Sequence, residues 1–239
     1  MLWVLPVHSL AEVDVSIYRA LNAFCGWSPT LDRVAFNFPG LVGLLFMGIF
    51  GLLWYREDSE QSHRRETLLL IFPAVALGLI ANRTISTLLP FRVRPMWAIG
   101  ATAPSHDYTF DLVHWSSFPS DNATYLFAIT ACLCAISRPF GLLFGLFATC
   151  VVLTRVYFGI HYPSDIVVGA LLGIAAGVAV NLRVVCDAVA RQLLAVEKQM
   201  PSYFYGLLFM ALAEVAGGFQ TTRHFGMAIV YMFRGYPET

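Results

Sequence analysis

From Val34 to Tyr55 the chain runs without a charged side chain, and a charged stretch from Arg56 to Glu66 closes the run. Such a segment meets the requirement of roughly 20 apolar residues for a helix that crosses the hydrocarbon core of a bilayer. Further apolar runs follow at about 67–90, broken by Asn82 and Arg83, and then at 119–137, 140–157 and 166–182. A sixth, 203–219, contains Glu214 and three glycines, and it either spans or lies along the surface. The pattern predicts an all-α fold, a polytopic membrane helix bundle of about six transmembrane helices. Composition agrees: 58% of residues are hydrophobic and 13% charged, too little charge to cover a water-soluble domain. The formal net charge is zero, which gives no reason to expect nucleic acid as a partner.

Residues 1–33 mix apolar positions with Glu12, Asp14, Arg19 and Asp32, and read as an amphipathic, interfacial N-terminal helix with a linker. No basic start followed by an apolar core and a cleavage site is present, so no removable signal peptide is expected. Residues 34–219 form the membrane-embedded domain and 220–239 a C-terminal tail. Gly169, Gly173 and Gly177 recur every four residues, a small-residue stripe suited to close helix contact in lipid. Three of the five cysteines lie in apolar runs and act as small hydrophobes; neither a disulfide framework nor a metal site is expected from their spacing.

The 56–66 loop, the Ser137-Arg138-Pro139 turn and the 183–198 segment fall on one side of the bilayer, with Arg56, Arg64, Arg65, Arg138, Arg183, Arg191 and Lys198. The opposite loops carry Arg92, Arg94 and Arg155, and the termini add Arg19, Arg33, Arg223 and Arg234. The counts tie. If the three loop arginines are reserved for chemistry and the distant termini discounted, the 56–66 side is cytoplasmic.

Three polar clusters gather in the loops of the other side. Phe91-Arg92-Val93-Arg94-Pro95 follows the second run; alone, such arginines commonly meet lipid head groups. Ser117-Phe118-Pro119-Ser120-Asp121-Asn122 opens the third run and, taken singly, reads as a helix cap. Thr154-Arg155, His161 and Asp165 form the third cluster. Charged groups so near lipid need partners or a function. Asp165, in the first turn of a helix beginning near Pro163, is placed to orient one ring nitrogen of His161 and leave the other as a nucleophile. A satisfied His–Asp pair with a purely structural job also fits that cluster. Together the clusters supply guanidiniums, helix N-termini, a serine and an oriented histidine, a set matched to a transferring phosphoryl group. No metal site is legible, and metal-free transfer through a phosphohistidine is the economical reading.

At this point the chain resembles the type 2 phosphatidic acid phosphatase superfamily, whose pattern is Lys, six residues, Arg-Pro; then Pro-Ser-Gly-His; then Ser-Arg, five residues, His, three residues, Asp. The resemblance covers roughly residues 34–219, and Thr154, Arg155, His161 and Asp165 match the third motif most fully. The run Ser-Phe-Pro-Ser-Asp resembles the undecaprenyl-diphosphate phosphatase branch, which often has Asp in the glycine position. The resemblance implies that His161 attacks phosphorus, Asp165 orients it, and Arg94, Arg155 and Ser120 hold phosphate oxygens. Arg92 is a further phosphate-binding candidate. The implied substrates are lipid phosphates or diphosphates, with no cofactor or metal; the loop charges place the site on the periplasmic face of a bacterial inner membrane.

Two positions depart from the pattern. Thr87 stands where the lysine belongs, and Arg83, one helical turn deeper, either replaces that charge or pairs with Glu214 or a backbone carbonyl. Asn122 replaces the histidine that protonates the leaving group, and asparagine cannot shuttle a proton. Loss of that acid weighs most on monophosphates, whose leaving group is an alkoxide, so diphosphates are the expected preference. His106 and His114 are candidate replacement donors. Two other readings stay open: transfer of the phosphoryl group to a second lipid, and a non-catalytic phospholipid-binding or transport protein on a degenerate phosphatase scaffold.

Overall fold

The computed structural model describes residues 7–100, 112–113 and 115–234. The described residues form ten α-helices and no strand: α1 (Val7–Asn22), α2 (Pro29–Tyr55), α3 (Gln61–Leu69), α4 (Ile71–Leu88), α5 (Asp121–Ile136), α6 (Arg138–Tyr157), α7 (Pro163–Val180), α8 (Arg183–Gln199), α9 (Pro201–Ala216) and α10 (Gln220–Arg234). Four are long and apolar enough to cross a membrane: α2, the combined α3–α4 segment Gln61–Leu88, α6 and α7. The sixth apolar run does not continue straight. α9 and the start of α10 meet at an angle of 88°, and together they would make a fifth span. α5 is apolar but has 16 residues, about 24 Å of helix at 1.5 Å per residue.

Short α5 can sit where it does because α4, α6 and α7 surround it. Ala123, Thr124, Leu126, Ala128, Ile129, Cys132 and Leu133 are all buried. The glycine stripe is where α7 meets it. A Cβ at Gly173 would lie 2.1 Å from the Thr124 carbonyl oxygen, and one at Gly169 2.4 Å from that of Ser120. Only glycine lets two backbones come this close, as small residues do in lipid, where apolar burial between helices gives no driving force. A second layer of packing is aromatic: Phe50 stacks on Trp54 at 5.7 Å and Trp54 on Phe204 at 6.1 Å, joining α2 to α9.

α2 begins ahead of its charge-free run because Ser28 caps it, its hydroxyl accepting the Leu31 N–H at 3.4 Å, with Pro29 at the first helical position. The first-turn charge of Asp32 is not left in lipid. Its carboxylate accepts the Gly26 N–H at 3.2 Å and the Tyr157 hydroxyl at the end of α6. Asn22 donates to the Tyr157 carbonyl at 2.8 Å. The segment expected as an interfacial helix and linker is thus also fastened to the bundle by half-buried polar contacts, and α1 packs on α6 and α7.

Candidate active site

The three polar loops lie at the same end of the bundle and are laced by main-chain hydrogen bonds. The Ser117 N–H donates to the Arg92 carbonyl at 2.9 Å, the Ser120 N–H to the Asp165 carbonyl at 3.0 Å, and the Met96 N–H to the Gly159 carbonyl at 2.9 Å. Their positions are therefore set by backbone, and the side chains are presented from a rigid frame.

His161 is 2% exposed. Its Nδ1 lies 2.8 Å from the Ser117 carbonyl oxygen and 3.6 Å from Asp165 Oδ2. A carbonyl accepts and cannot donate, so Nδ1 carries the proton and Nε2 presents its lone pair. The shorter orienting contact is this main-chain carbonyl, and Asp165 stands behind it as the nearby negative charge. Burial pushes the His161 pKa below its ordinary value of 6.5, outweighing the hydrogen bond and charge of Asp165, which act upward. The imidazole is neutral and nucleophilic at neutral pH.

Nε2 faces Arg94, whose Nη1 is 3.5 Å away and also donates to the Ile160 carbonyl at 2.9 Å. Burial lowers the Arg94 pKa from 12.5 to about 10, so it remains a cation at neutral pH. The Nε groups of Arg94 and Arg155 are buried with no hydrogen-bond partner among the described residues. Two guanidiniums with spare donors beside a free imidazole nitrogen are suited to an anionic, tetrahedral ligand. A cavity of about 530 Å³ opens over them, lined by Arg94, Arg155, His161, Asp121, Asn122 and Tyr125 among others.

The other candidates sit differently. Asp165 Oδ2 accepts the Tyr162 N–H at 2.8 Å at the start of α7, and its Oδ1 pairs with Arg92 Nη1 at 2.5 Å. Arg92 therefore faces carboxylates: its Nη2 pairs with Asp14 at 2.8 Å, and its guanidinium lies over the Tyr162 ring. The Ser120 hydroxyl is fully buried and caps α5 through the Ala123 N–H at 3.4 Å. Neither Arg92 nor Ser120 lines the cavity. Arg83 lies 3.8 Å from Asp121 and stacks on Trp115 at 4.1 Å. Glu214 is no partner for it, because its carboxylate accepts from Thr222. Thr87 is exposed, its hydroxyl returned to the Thr84 carbonyl. Asn122 lines the cavity with its amide on Asp121 at 3.2 Å. His106 and His114 lie outside the described residues. Among the described residues no group of three or more His, Cys, Asp or Glu side chains is placed to share a metal ion.

Residues 67–185, from the end of α3 to the start of α8, match the PAP2 superfamily. The chain carries a PAP2 superfamily domain. That PAP2 domain contains all three clusters, and similarity to individual proteins extends beyond it. The chain is 27% identical over 172 residues to the bacitracin transport permease protein BcrC of Bacillus licheniformis, covering 70% of this chain and 78% of that one. It is 28% identical over 169 residues to YbjG of Escherichia coli K12, whose name provisionally gives it as an undecaprenyl-diphosphatase, covering 69% and 79% respectively. Two solved structures share the fold. LpxE of Aquifex aeolicus matches with a TM-score of 0.54 at 24% identity, over 70% of this chain and 93% of that one. A transmembrane PAP2 type phosphatidylglycerolphosphate phosphatase from Bacillus subtilis matches with a TM-score of 0.51 at 20% identity, over 73% and 86%. With these relatives and its apolar helices, the chain that carries this domain is an integral membrane protein.

Sequence reasoning missed Asp14, Ser164 and Asp121, and it left Arg223 and His224 in a tail. Arg223 pairs with Asp121 at 2.9 Å, and both Arg223 and His224 line the cavity. Asp14, Arg223 and His224 lie outside residues 67–185, where motif spacing gives no guidance. A carboxylate on an otherwise apolar helix face was the only available signal for Asp14.

Proposed function

We propose that the chain is a metal-independent lipid phosphatase that hydrolyses a polyprenyl diphosphate, of the undecaprenyl diphosphate type, through a phosphohistidine on His161. The observation that carries the reading is a buried, neutral His161 whose unprotonated Nε2 faces the Arg94 guanidinium at 3.5 Å. In the first step the Nε2 lone pair forms a bond to the terminal phosphorus while the bridging P–O bond breaks. The departing oxygen keeps the electron pair as a lipid monophosphate, already a stable anion, and Arg94 and Arg155 offset the charge on the transferring group. Water then attacks the phosphohistidine, releasing inorganic phosphate and restoring the imidazole. Similarity to YbjG supports the diphosphate substrate, and the basic residues of the 56–66, 137–139 and 183–198 segments support an active site facing the periplasm from a bacterial inner membrane.

The test uses the purified full chain with undecaprenyl diphosphate and with lipid monophosphates, in the presence of chelator, following phosphate release. With labelled diphosphate, an acid-labile, base-stable phosphoryl adduct is expected, absent in His161→Ala and slower to form in Asp165→Asn. Turnover without adduct under rapid quench points instead to direct attack by water. No turnover of any lipid phosphate removes the reading.

A further inference from the structure

The cavity has a wall that lies outside the matched domain. α9 ends in a Gly217-Gly218-Phe219 corner, where Gly218 has φ +66° and Phe219 φ +61°. A Cβ on Gly218 would lie 3.1 Å from the Tyr125 hydroxyl, so glycine is needed both for the turn and for the approach to α5. The corner bends the chain through 88°. Two contacts then fix α10. Glu214 Oε2 accepts the Thr222 N–H at 3.2 Å and its hydroxyl at 2.6 Å, and Arg223 Nη2 donates to Asp121 Oδ2 at 2.9 Å. Asn122 follows Asp121 and His224 follows Arg223, and both line the cavity together with His161.

The cavity needs a proton donor if the leaving group is basic, and few of its lining groups can serve. The Nδ1 proton of His161 is held by the Ser117 carbonyl. Asp121 is engaged by Arg223 and Arg83. Arginine does not give up its proton, asparagine has none to give, and a phenol ordinarily ionises near pH 10. Histidine is the residue type suited to proton transfer near neutrality. We propose that His224, delivered by α10, is the proton donor to the leaving lipid oxygen, in place of the imidazole that Asn122 lacks. As the P–O bond to the lipid breaks, its electron pair goes to the oxygen and the imidazolium proton of His224 goes to that oxygen. The neutral imidazole of His224 regains its proton from solvent, while the water that attacks the phosphohistidine leaves its proton with the phosphate product, and both histidines return to their starting states. This inference rests on the phosphatase reading.

The experiment compares the full-length chain with His224→Gln on a lipid monophosphate and on p-nitrophenyl phosphate, whose nitrophenolate leaves without a proton. Monophosphate turnover is expected to fall by about 10²-fold or more. Turnover of p-nitrophenyl phosphate should change by less than about threefold, which also reports that the site remains folded. Adding Asn122→His to the His224→Gln chain is expected to restore monophosphate turnover. Equal losses on both substrates, no loss on either, or no restoration by Asn122→His overturns the donor role while leaving the phosphatase reading in place. A wild-type chain that hydrolyses neither substrate overturns the donor role, and one that also leaves undecaprenyl diphosphate uncleaved overturns the phosphatase reading as well.

Discussion

The carboxylate of Asp14, on the first helix, lies 2.8 Å from the guanidinium of Arg92. Arg92 in turn pairs with Asp165, and Ser164 donates both its N–H and its hydroxyl to Asp14, at 2.9 and 2.5 Å. A residue far from the motifs thus fixes the turn that carries Asp165. Asp14→Ala is expected to lower the rate of phosphohistidine formation while leaving KM within about twofold, because positioning and binding are separate tasks. It should also destabilise the fold by about 1–3 kcal/mol through the unpaired donors left on Arg92 and Ser164. Stopped-time adduct assays and thermal unfolding in detergent measure the two effects. An unchanged rate of adduct formation would leave Asp14 a purely structural residue.

The pH dependence follows from His161. The nucleophile must be neutral, and burial holds its pKa below 6.5 in the folded chain. With a diphosphate, whose leaving group needs no proton, the free enzyme's kcat/KM is therefore expected to be flat through neutrality and to fall on the acid side, with its midpoint below pH 6.5. Asp165 acts to raise that pKa, so Asp165→Asn should move the acid limb further down. Stability has the same sign. Above pH 6.5 the folded and unfolded forms both carry a neutral imidazole and the group contributes nothing; below it the unfolded chain takes up a proton that the folded chain refuses, and stability declines. An acid limb above pH 6.5, or one that Asp165→Asn moves upward, contradicts this account.

Close backbone contact between α5 and α7 makes Gly173 intolerant of even a methyl group. With a Cβ 2.1 Å from the Thr124 carbonyl, Gly173→Ala is expected to cost about 1–3 kcal/mol or more through forced separation of the helices. Gly206, where a Cβ meets nothing within 4 Å, supplies the control. Gly206→Ala should leave the unfolding temperature in detergent nearly unchanged. Similar shifts for both variants would remove the close-contact argument.

Orientation is open to labelling. With the native cysteines replaced, single cysteines at Ser59 and at Val113, which is 45% exposed, are treated with an impermeant thiol reagent in whole cells. Labelling is expected at Val113 alone, placing the His161 end outside. Labelling at Ser59 alone reverses the orientation.

The helical class and the long spans were legible because lipid allows no unpaired backbone, so uncharged runs translate directly into helices. The juxtaposition of His161, Arg94, Arg155 and Asn122 was legible through motif spacing, for each residue sits at or beside the end of a predicted run. What the sequence hid is of two kinds. Arg92 and Arg94 are two residues apart in the same loop, yet one faces carboxylates and the other the nucleophile, a division set by backbone direction and not by residue type. Arg223 and His224 reach the cavity only because the glycine corner folds α10 back, and a hydropathy profile records that corner as a continuing apolar run.

The contact that sets the His161 tautomer comes from the carbonyl of Ser117, and every amino acid has that carbonyl. Replacing the side chain at 117 does not remove it, provided the loop keeps its path. The attacking nitrogen is thus insulated from drift at the neighbouring side chains, and the proton-donating position is not. In such an arrangement the two halves of the chemistry are separable by mutation: a lineage can lose or relocate its acid while the nucleophile stays armed.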